Sequence, residues 1–175
     1  EKADDPVPEA FQRRVWEEVV QAAERYNQPG KFTTFAGYEW TAIRTGDNLH
    51  RVVVFADGPE KTLQTLPFSA LDSGAPEDLW GALQAYTDKT DGRVMSIPHN
   101  GNLSDGDMFA DTTFDGDPMS ASYRETRLRF EPVVEITQVT GDGEAHPVLS
   151  PDDEFADFES WDETHLGRMP TTKDR

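Results

Sequence analysis

Residues 94–104 read VMSIPHNGNLS, a short apolar segment that ends abruptly in polar residues. The run 94–97 is typical of a buried strand. His99, Asn100 and Asn102 follow at once, where the chain must turn. In α/β proteins, side chains at the ends of central strands are usually the ones that form functional sites. This stretch therefore predicts an α/β fold with polar chemistry at one end of a strand.

Hydrophobic periodicity along the rest of the chain predicts three helices and four strands. In order these are helix 8–27, strand 31–43, strand 49–56, helix 76–90, strand 93–99, helix 122–130 and strand 132–139. Residues 31–56 favour either two adjacent strands or a hairpin, which would turn at about Gly46-Asp47, and residues 49–99 have the order of a βαβ unit. Residues 100–121 predict a long loop. We therefore expect a mixed sheet with long loops.

The chain has 175 residues, with 34 acidic side chains against 16 Lys and Arg and a formal net charge of −18. That length suits a single domain over residues 1–175, of which residues 141–175 form an acidic, loop-rich tail. A surface this acidic repels nucleic acid and anionic membranes, which favours a small-molecule substrate. No stretch is apolar enough to span a membrane. We expect a soluble protein, either cytoplasmic or periplasmic.

The sequence contains no cysteine, so a metal site would have to use histidine and carboxylate ligands. His99 is one candidate, and the alternative is a histidine that caps its own loop by hydrogen bonding to the backbone. Glu39 lies in an aromatic strand, where burial of a carboxylate is costly without a partner such as a divalent cation. The alternative for Glu39 is that it points outward from an alternating strand.

Three further candidates, His50, Glu135 and His146, are weaker on spacing alone. A hairpin with the predicted turn places Glu39 opposite Val54 and leaves His50 several residues away. Glu135 repeats the pattern of one acid within an apolar strand and has the same outward-facing alternative. His146 follows a turn, which favours a residue of a surface loop.

The absence of several known catalytic motifs excludes some enzyme classes. The sequence has no nucleophilic-serine elbow, phosphate loop or dinucleotide fingerprint. Metal-assisted hydrolysis is the enzyme class that the available groups favour. Aspartate-rich loops at 105–117 and 152–157 raise another hypothesis, calcium-stabilised carbohydrate binding, although neither has the ligand spacing of an EF-hand.

Six segments together carry a resemblance to a known family. They are GKFTTFAGYEWTA, GDNLHRVVVF, IPHNGNLSDGDMF, EPVVEITQV, GEAHP and LSPDDEFADFE, which occur in this order between residues 30 and 159. In these motifs the chain resembles a bacterial family of unknown function, number 3604 among such domains. That family is grouped with the polymerase and histidinol phosphatase (PHP) superfamily of metal-dependent hydrolases.

The resemblance implies a fold, a cofactor and a set of ligands. PHP proteins are distorted (β/α) barrels that bind divalent metals, commonly Zn, Mn or Fe, and these metals activate water to attack a phosphoester. By this resemblance Glu39 is a bridging carboxylate, and His50 and His99 are ligand histidines. Glu135 and His146 match no general PHP ligand, so they remain second-tier candidates together with Asn100 and Asn102.

The departures from the PHP pattern define a second hypothesis. PHP proteins begin with a His-x-His strand and end with an Asp-x-His strand, and neither motif occurs here. The chain therefore resembles the central part of a longer protein, an incomplete PHP-like (β/α) barrel that binds metal weakly by itself. We expect the exposed sheet edges to be covered by flanking segments or by a second copy. The alternative function is a non-catalytic binding or structural module without a complete metal site.

Overall fold

The computed structural model describes residues 7–139, 141–142 and 146–158. Its elements are α1 (Glu9–Tyr26), β1 (Ala36–Trp40), β2 (Ile43–Arg44), β3 (Asp47–Asn48), β4 (Arg51–Phe55), α2 (Pro59–Thr62), α3 (Pro76–Thr90), β5 (Val94–Pro98), α4 (Ala121–Phe130), β6 (Thr137–Gln138) and β7 (Gly141–Asp142). The predicted helices over 8–27, 76–90 and 122–130 are confirmed as α1, α3 and α4. The predicted loop 100–121 contains two short 3₁₀ turns, Gly101–Leu103 and Asp107–Phe109.

A long β-hairpin organises the first half of the chain. Strands β1 and β4 pair antiparallel, and β2 and β3 continue the same register toward the tip, where Ile43 pairs with Asn48. The two tip residues, Thr45 and Gly46, have φ values of 53° and 101°. Positive φ at both central residues suits a two-residue turn whose twist matches that of the flanking strands.

The predicted turn at Gly46-Asp47 is thus wrong by one residue, and the error changes the pairing. In an antiparallel hairpin, moving the turn by one residue shifts every cross-strand partner by two. Glu39 pairs with Val52 instead of Val54. His50 consequently lies close to Glu39, whereas the predicted register separated them.

Strand β5 completes a three-stranded sheet in the order β1-β4-β5. The connection through α3 returns the chain to the sheet end at which β4 stopped, where the Ala56 N–H donates to the Arg93 carbonyl at 2.9 Å. Strand β5 therefore runs antiparallel to β4, and the βαβ prediction is wrong. All strand pairs in the described residues are antiparallel, where we expected a mixed sheet, and these strands do not close a barrel.

The two faces of the sheet have different surroundings, because successive side chains along a strand point to opposite sides. One face packs on α1, α3 and α4 and forms the hydrophobic core. Its buried members are Trp16, Val20, Ala36, Trp40, Ala42, Leu49, Val53, Phe55, Leu79, Trp80, Leu83, Tyr86 and Phe130. The opposite face is less covered, with Val52 remaining 37% exposed.

Helix α1 packs on the core face of the sheet through only part of its apolar surface. Trp16 is buried and meets the Phe55 ring with centroids 5.7 Å apart. Phe11, Val15 and Val19, which follow one another at four-residue spacing, are 49%, 41% and 40% exposed. The prediction that the apolar stripe packs on a sheet therefore holds for one side of the stripe.

The predicted strand 132–139 is wrong over most of its length. Only Thr137–Gln138 forms a strand, which pairs with β7 and not with the main sheet. The Glu135 N–H donates to the Pro98 carbonyl at 3.1 Å. Because Pro98 has no N–H to offer in return, the ladder is not extended along the edge of β5. Apolar residues of the segment remain exposed, for example Val133 at 50%.

The predicted acidic tail, 141–175, falls largely outside the described residues, which include 141–142 and 146–158 of it. Turns are the main structure over 147–158. None of the helices in the described part of the chain is long and apolar enough to cross a membrane.

Candidate metal centre

Three ionisable side chains meet where the three strands of the main sheet begin or end, at one end of the sheet. Glu39 lies next to the end of β1, His50 directly precedes β4, and His99 directly follows β5. Because neighbouring strands are antiparallel, the end of β1, the start of β4 and the end of β5 lie side by side. Residues that pair across strands share a face, so these three side chains project from the face opposite to the core.

The distances show how closely they converge. Nδ1 of His50 is 3.0 Å from Oε1 of Glu39, and Nε2 of His99 is 3.5 Å from the same oxygen. The two imidazole rings have centroids 5.9 Å apart at an interplanar angle of 63°. One donor atom from each residue can be chosen so that all three lie within 4.8 Å of one another.

Two ring nitrogens at this centre are buried without a hydrogen-bond partner, Nε2 of His50 and Nε2 of His99. Buried polar atoms are nearly always partnered, and a bound ion is one of the explanations for such exceptions. Burial lowers the pKa of His50, His99 adds to this effect, and Glu39 opposes it. A neutral imidazole keeps a lone pair available for a cation.

The geometry fits a divalent cation. Ligand atoms that lie about 2.1 Å from one ion are about 3 to 3.5 Å apart. Oε1 of Glu39 is already in this range from Nδ1 of His50, at 3.0 Å, and from Nε2 of His99, at 3.5 Å. The group offers one ligand atom from each residue, all within 4.8 Å of one another. Two imidazoles and one carboxylate are a ligand set used by zinc and by other first-row metals.

Asn100 and Glu135 support His99 from outside the group. The Asn100 side-chain amide lies 3.0 Å from Nδ1 of His99, and its backbone is left-handed, with φ 54° and ψ 37°. The Asn100 N–H donates to Oε2 of Glu135 at 2.9 Å, while the Glu135 N–H donates to Pro98. Glu135 therefore holds both sides of the turn that carries His99, and it is not simply an outward-facing acid.

The remaining candidates are Asn102 and His146, and His146 is not a member of this group. Asn102 is half-buried in the 3₁₀ turn 101–103, and His146 is exposed, with its Nδ1 accepting the Val148 N–H at 3.2 Å. Within the described residues, Glu39, His50 and His99 are the only group of three or more potential side-chain ligands. The aspartate-rich loop 105–117 and the described loop 152–157 do not bring three such side chains together.

Sequence reasoning missed one residue of the centre, Asn48. It reads as a turn residue, yet it is completely buried, and its carboxamide bonds to backbone groups of His50, His99 and Asn100. Its position two residues before His50 is visible in the sequence, but its bonds to His99 and Asn100 depend on the pairing of β4 with β5.

Comparison with known proteins gives one match. The family described as Protein of unknown function (DUF3604) matches residues 2–175 of the chain. No curated protein and no solved structure matches the chain. The matched range includes the hairpin, β5 and all three side chains of the centre.

Proposed function

The chain belongs to the DUF3604 family of unknown function, and on that premise we propose that it is part of a metal-dependent hydrolase that acts on phosphoesters through metal-activated water. One observation carries the proposal. Two imidazoles, each with one buried nitrogen that has no hydrogen-bond partner, converge with a carboxylate at one end of the sheet. A metal site explains why these nitrogens are left without hydrogen bonds.

The roles of the three residues follow from their surroundings. Glu39, His50 and His99 would hold the cation, which supplies Lewis acidity that polarises a phosphoryl oxygen and lowers the pKa of water. Burial favours the neutral ring of His50, and the Glu39 carboxylate offsets part of the cation's charge. The side chain of Glu39 is 47% exposed, which leaves the centre accessible to a substrate from solvent.

The choice of phosphoesters and the PHP relationship rest on the motifs GYE, LHRVV and IPHN, which contain the three ligands. By the same resemblance we propose that the antiparallel sheet is a part of an incomplete PHP-like barrel. The metal would be Zn, Mn or Fe. With 34 acidic against 16 basic side chains, the surface attracts cations and repels polyanions, so a small substrate is favoured over a polymer.

A second function is favoured by the size of the ligand set. The described residues contribute three potential ligand side chains, and hydrolytic sites with more than one metal need more. The chain would then be a non-catalytic binding or structural module in which any bound cation stabilises the end of the sheet.

Metal analysis of the purified chain tests the first proposal. We expect Zn²⁺ or Mn²⁺ to bind the wild type and to be lost in Glu39→Ala and His99→Ala. His146→Ala removes an exposed histidine outside the centre and is the matched control. Hydrolysis of p-nitrophenyl phosphate in the presence of either metal then separates a hydrolase from a binding module.

Each outcome has a clear meaning. Metal bound by the wild type and by His146→Ala, but not by the two centre variants, supports the site. Equal metal content in all four proteins overturns it. Metal binding without metal-dependent hydrolysis favours the non-catalytic module.

A further inference from the structure

Asn48 is the last residue of β3 and is completely buried. Its side chain lies between the backbones of His50 and His99. Its Oδ1 accepts the backbone N–H of His50 at 2.7 Å. Its Nδ2 donates to the carbonyl of His99 at 3.1 Å and to that of Asn100 at 2.9 Å. Both amide hydrogens and the amide oxygen are thus used on the backbone of the metal centre.

These bonds replace a part of the ladder between β4 and β5. Arg51 pairs with Pro98, so His50 and His99 are the next pair in the register. Directly opposite residues of this type normally exchange two N–H···O=C bonds. Here the His99 N–H donates to the His50 carbonyl, while the His50 N–H and the His99 carbonyl both bond to Asn48.

The inserted carboxamide widens the sheet at this pair. The remaining bond, from the His99 N–H to the His50 carbonyl, is 3.4 Å long, compared with about 2.9 to 3.0 Å for a typical N–H···O bond. The two rings lie on the same face of the widened pair with centroids 5.9 Å apart. Their Nε2 atoms are the nitrogens that lack partners.

We propose that Asn48 is a positioning residue for the metal centre: its carboxamide, inserted into the ladder, sets the spacing at which His50 and His99 present their rings to a divalent cation. The role toward the cation rests on the proposed function. The role toward the two rings does not, because it can be measured in the metal-free protein.

The chemistry of the three bonds requires an amide of this length. The substitution Asn48→Asp would keep the shape and the acceptor for His50 but would place a second oxygen against two carbonyl oxygens. The substitution Asn48→Ala leaves all three backbone groups without a partner, which is costly in a buried position. Both changes should therefore disturb the pair of rings directly.

The test compares Asn48→Ala with Ser96→Ala, and it includes Asn48→Asp, which retains the size of the side chain, for the case in which alanine prevents folding. Ser96 is also completely buried in the same sheet, and its Oγ donates to the Phe130 carbonyl at 3.2 Å, on the core face. Ser96→Ala thus removes a buried hydrogen bond without touching the centre. Two readouts are the ring-to-ring nuclear Overhauser contact between His50 and His99 in metal-free protein, and the Kd for Zn²⁺.

We expect the variants of Asn48 to lose the ring contact and Asn48→Ala to bind Zn²⁺ about 10- to 100-fold more weakly, the usual range for residues that orient metal ligands. Ser96→Ala should retain both properties. The inference is overturned if a folded variant of Asn48 keeps the ring contact, or if Ser96→Ala loses it equally. A wild type that binds no Zn²⁺ would refute the proposed function, while the ring contact would still decide the role of Asn48.

Discussion

Two clusters of charged side chains lie on opposite faces of the same strands, one around Glu131 and one around Glu39. On the core face, Glu131 accepts hydrogen bonds from Arg51 at 2.9 Å, Trp80 at 2.9 Å and Arg127 at 3.2 Å. Arg51 also donates to the Leu49 carbonyl. The Glu131 side chain is 3% exposed and both of its oxygens have partners.

The Glu39 cluster differs in what it leaves unpaired. Glu39 is half-exposed, and each histidine beside it keeps a buried Nε2 without a hydrogen-bond partner. Arg51 and His50 are adjacent in sequence and point to opposite faces. Because successive side chains of one strand point to opposite faces, the two clusters are kept apart. The Glu131 cluster has its hydrogen bonds satisfied internally and stabilises the fold, whereas the Glu39 cluster has the geometry to bind a cation.

The largest expected effect on stability concerns the Glu131 cluster. Glu131→Ala leaves the Arg51 guanidinium, which is 1% exposed, without its carboxylate. Removing one partner of a buried ion pair typically costs about 3 to 5 kcal/mol of unfolding free energy. Urea denaturation measures it, with Glu125→Ala, an exposed acid on α4, as the control. A loss no larger than that of Glu125→Ala would show that Glu131 is not the centre of a structural cluster.

A metal ion should stabilise the Glu39 cluster and leave the Glu131 cluster unchanged. At free Zn²⁺ of about 100 times Kd, a cation that binds only the folded chain adds about 2.7 kcal/mol to the unfolding free energy. The measurement is urea denaturation with Zn²⁺ and with a chelator. His99→Ala should lose this increment, while His146→Ala should keep it. An increment that survives His99→Ala would place the cation elsewhere.

Without metal, Glu39 should contribute far less to stability than Glu131. Its ion pairs are partly solvent-exposed, and such pairs contribute about 0 to 1 kcal/mol. Glu39→Ala in the presence of a chelator should therefore change the urea midpoint only slightly. If its cost approached that of Glu131→Ala, both clusters would be structural and the contrast between the two faces would be lost.

The sequence predicted α1, α3, β4 and β5 because each has a strong local pattern, whereas the short helix α2 lies in a segment predicted as a loop. Helices α1 and α3 have apolar residues at helical spacing, and β4 and β5 are short apolar runs. The failures arose where non-local pairing decides the structure. Residues 132–139 have a strand-like pattern, yet Pro98 cannot continue the ladder beside them.

The candidate metal centre was predictable in composition but not in geometry. Glu39, His50 and His99 could be chosen as ionisable residues at strand ends, but their convergence depends on a turn at Thr45-Gly46. Because a shift of one residue in the turn moves the cross-strand partners by two, spacing alone separated His50 from Glu39. Asn48 was missed because two of its partners, the carbonyls of His99 and Asn100, lie far along the chain and no local pattern indicates them.

The smallest expected effect is a dependence of the unfolding free energy on pH that comes from His50 in the Glu39 cluster. Burial lowers the pKa of His50 in the folded chain, so below about pH 6.5 the unfolded chain takes up more protons than the folded chain. The stability that neutral His50 contributes is therefore complete above that pH and decreases as the pH falls further.

Urea denaturation of wild type and His50→Gln, with a chelator, isolates this contribution from the many carboxylates. The unfolding free energy of the wild type minus that of His50→Gln should decrease as the pH is lowered from about 7.5 to about 5.5. A difference that instead grows toward acid would mean that attraction by Glu39 outweighs burial and raises the pKa of His50. His50 and Glu39 would then form a charged pair that satisfies itself, as Arg51 and Glu131 do, and the two faces would no longer differ in kind.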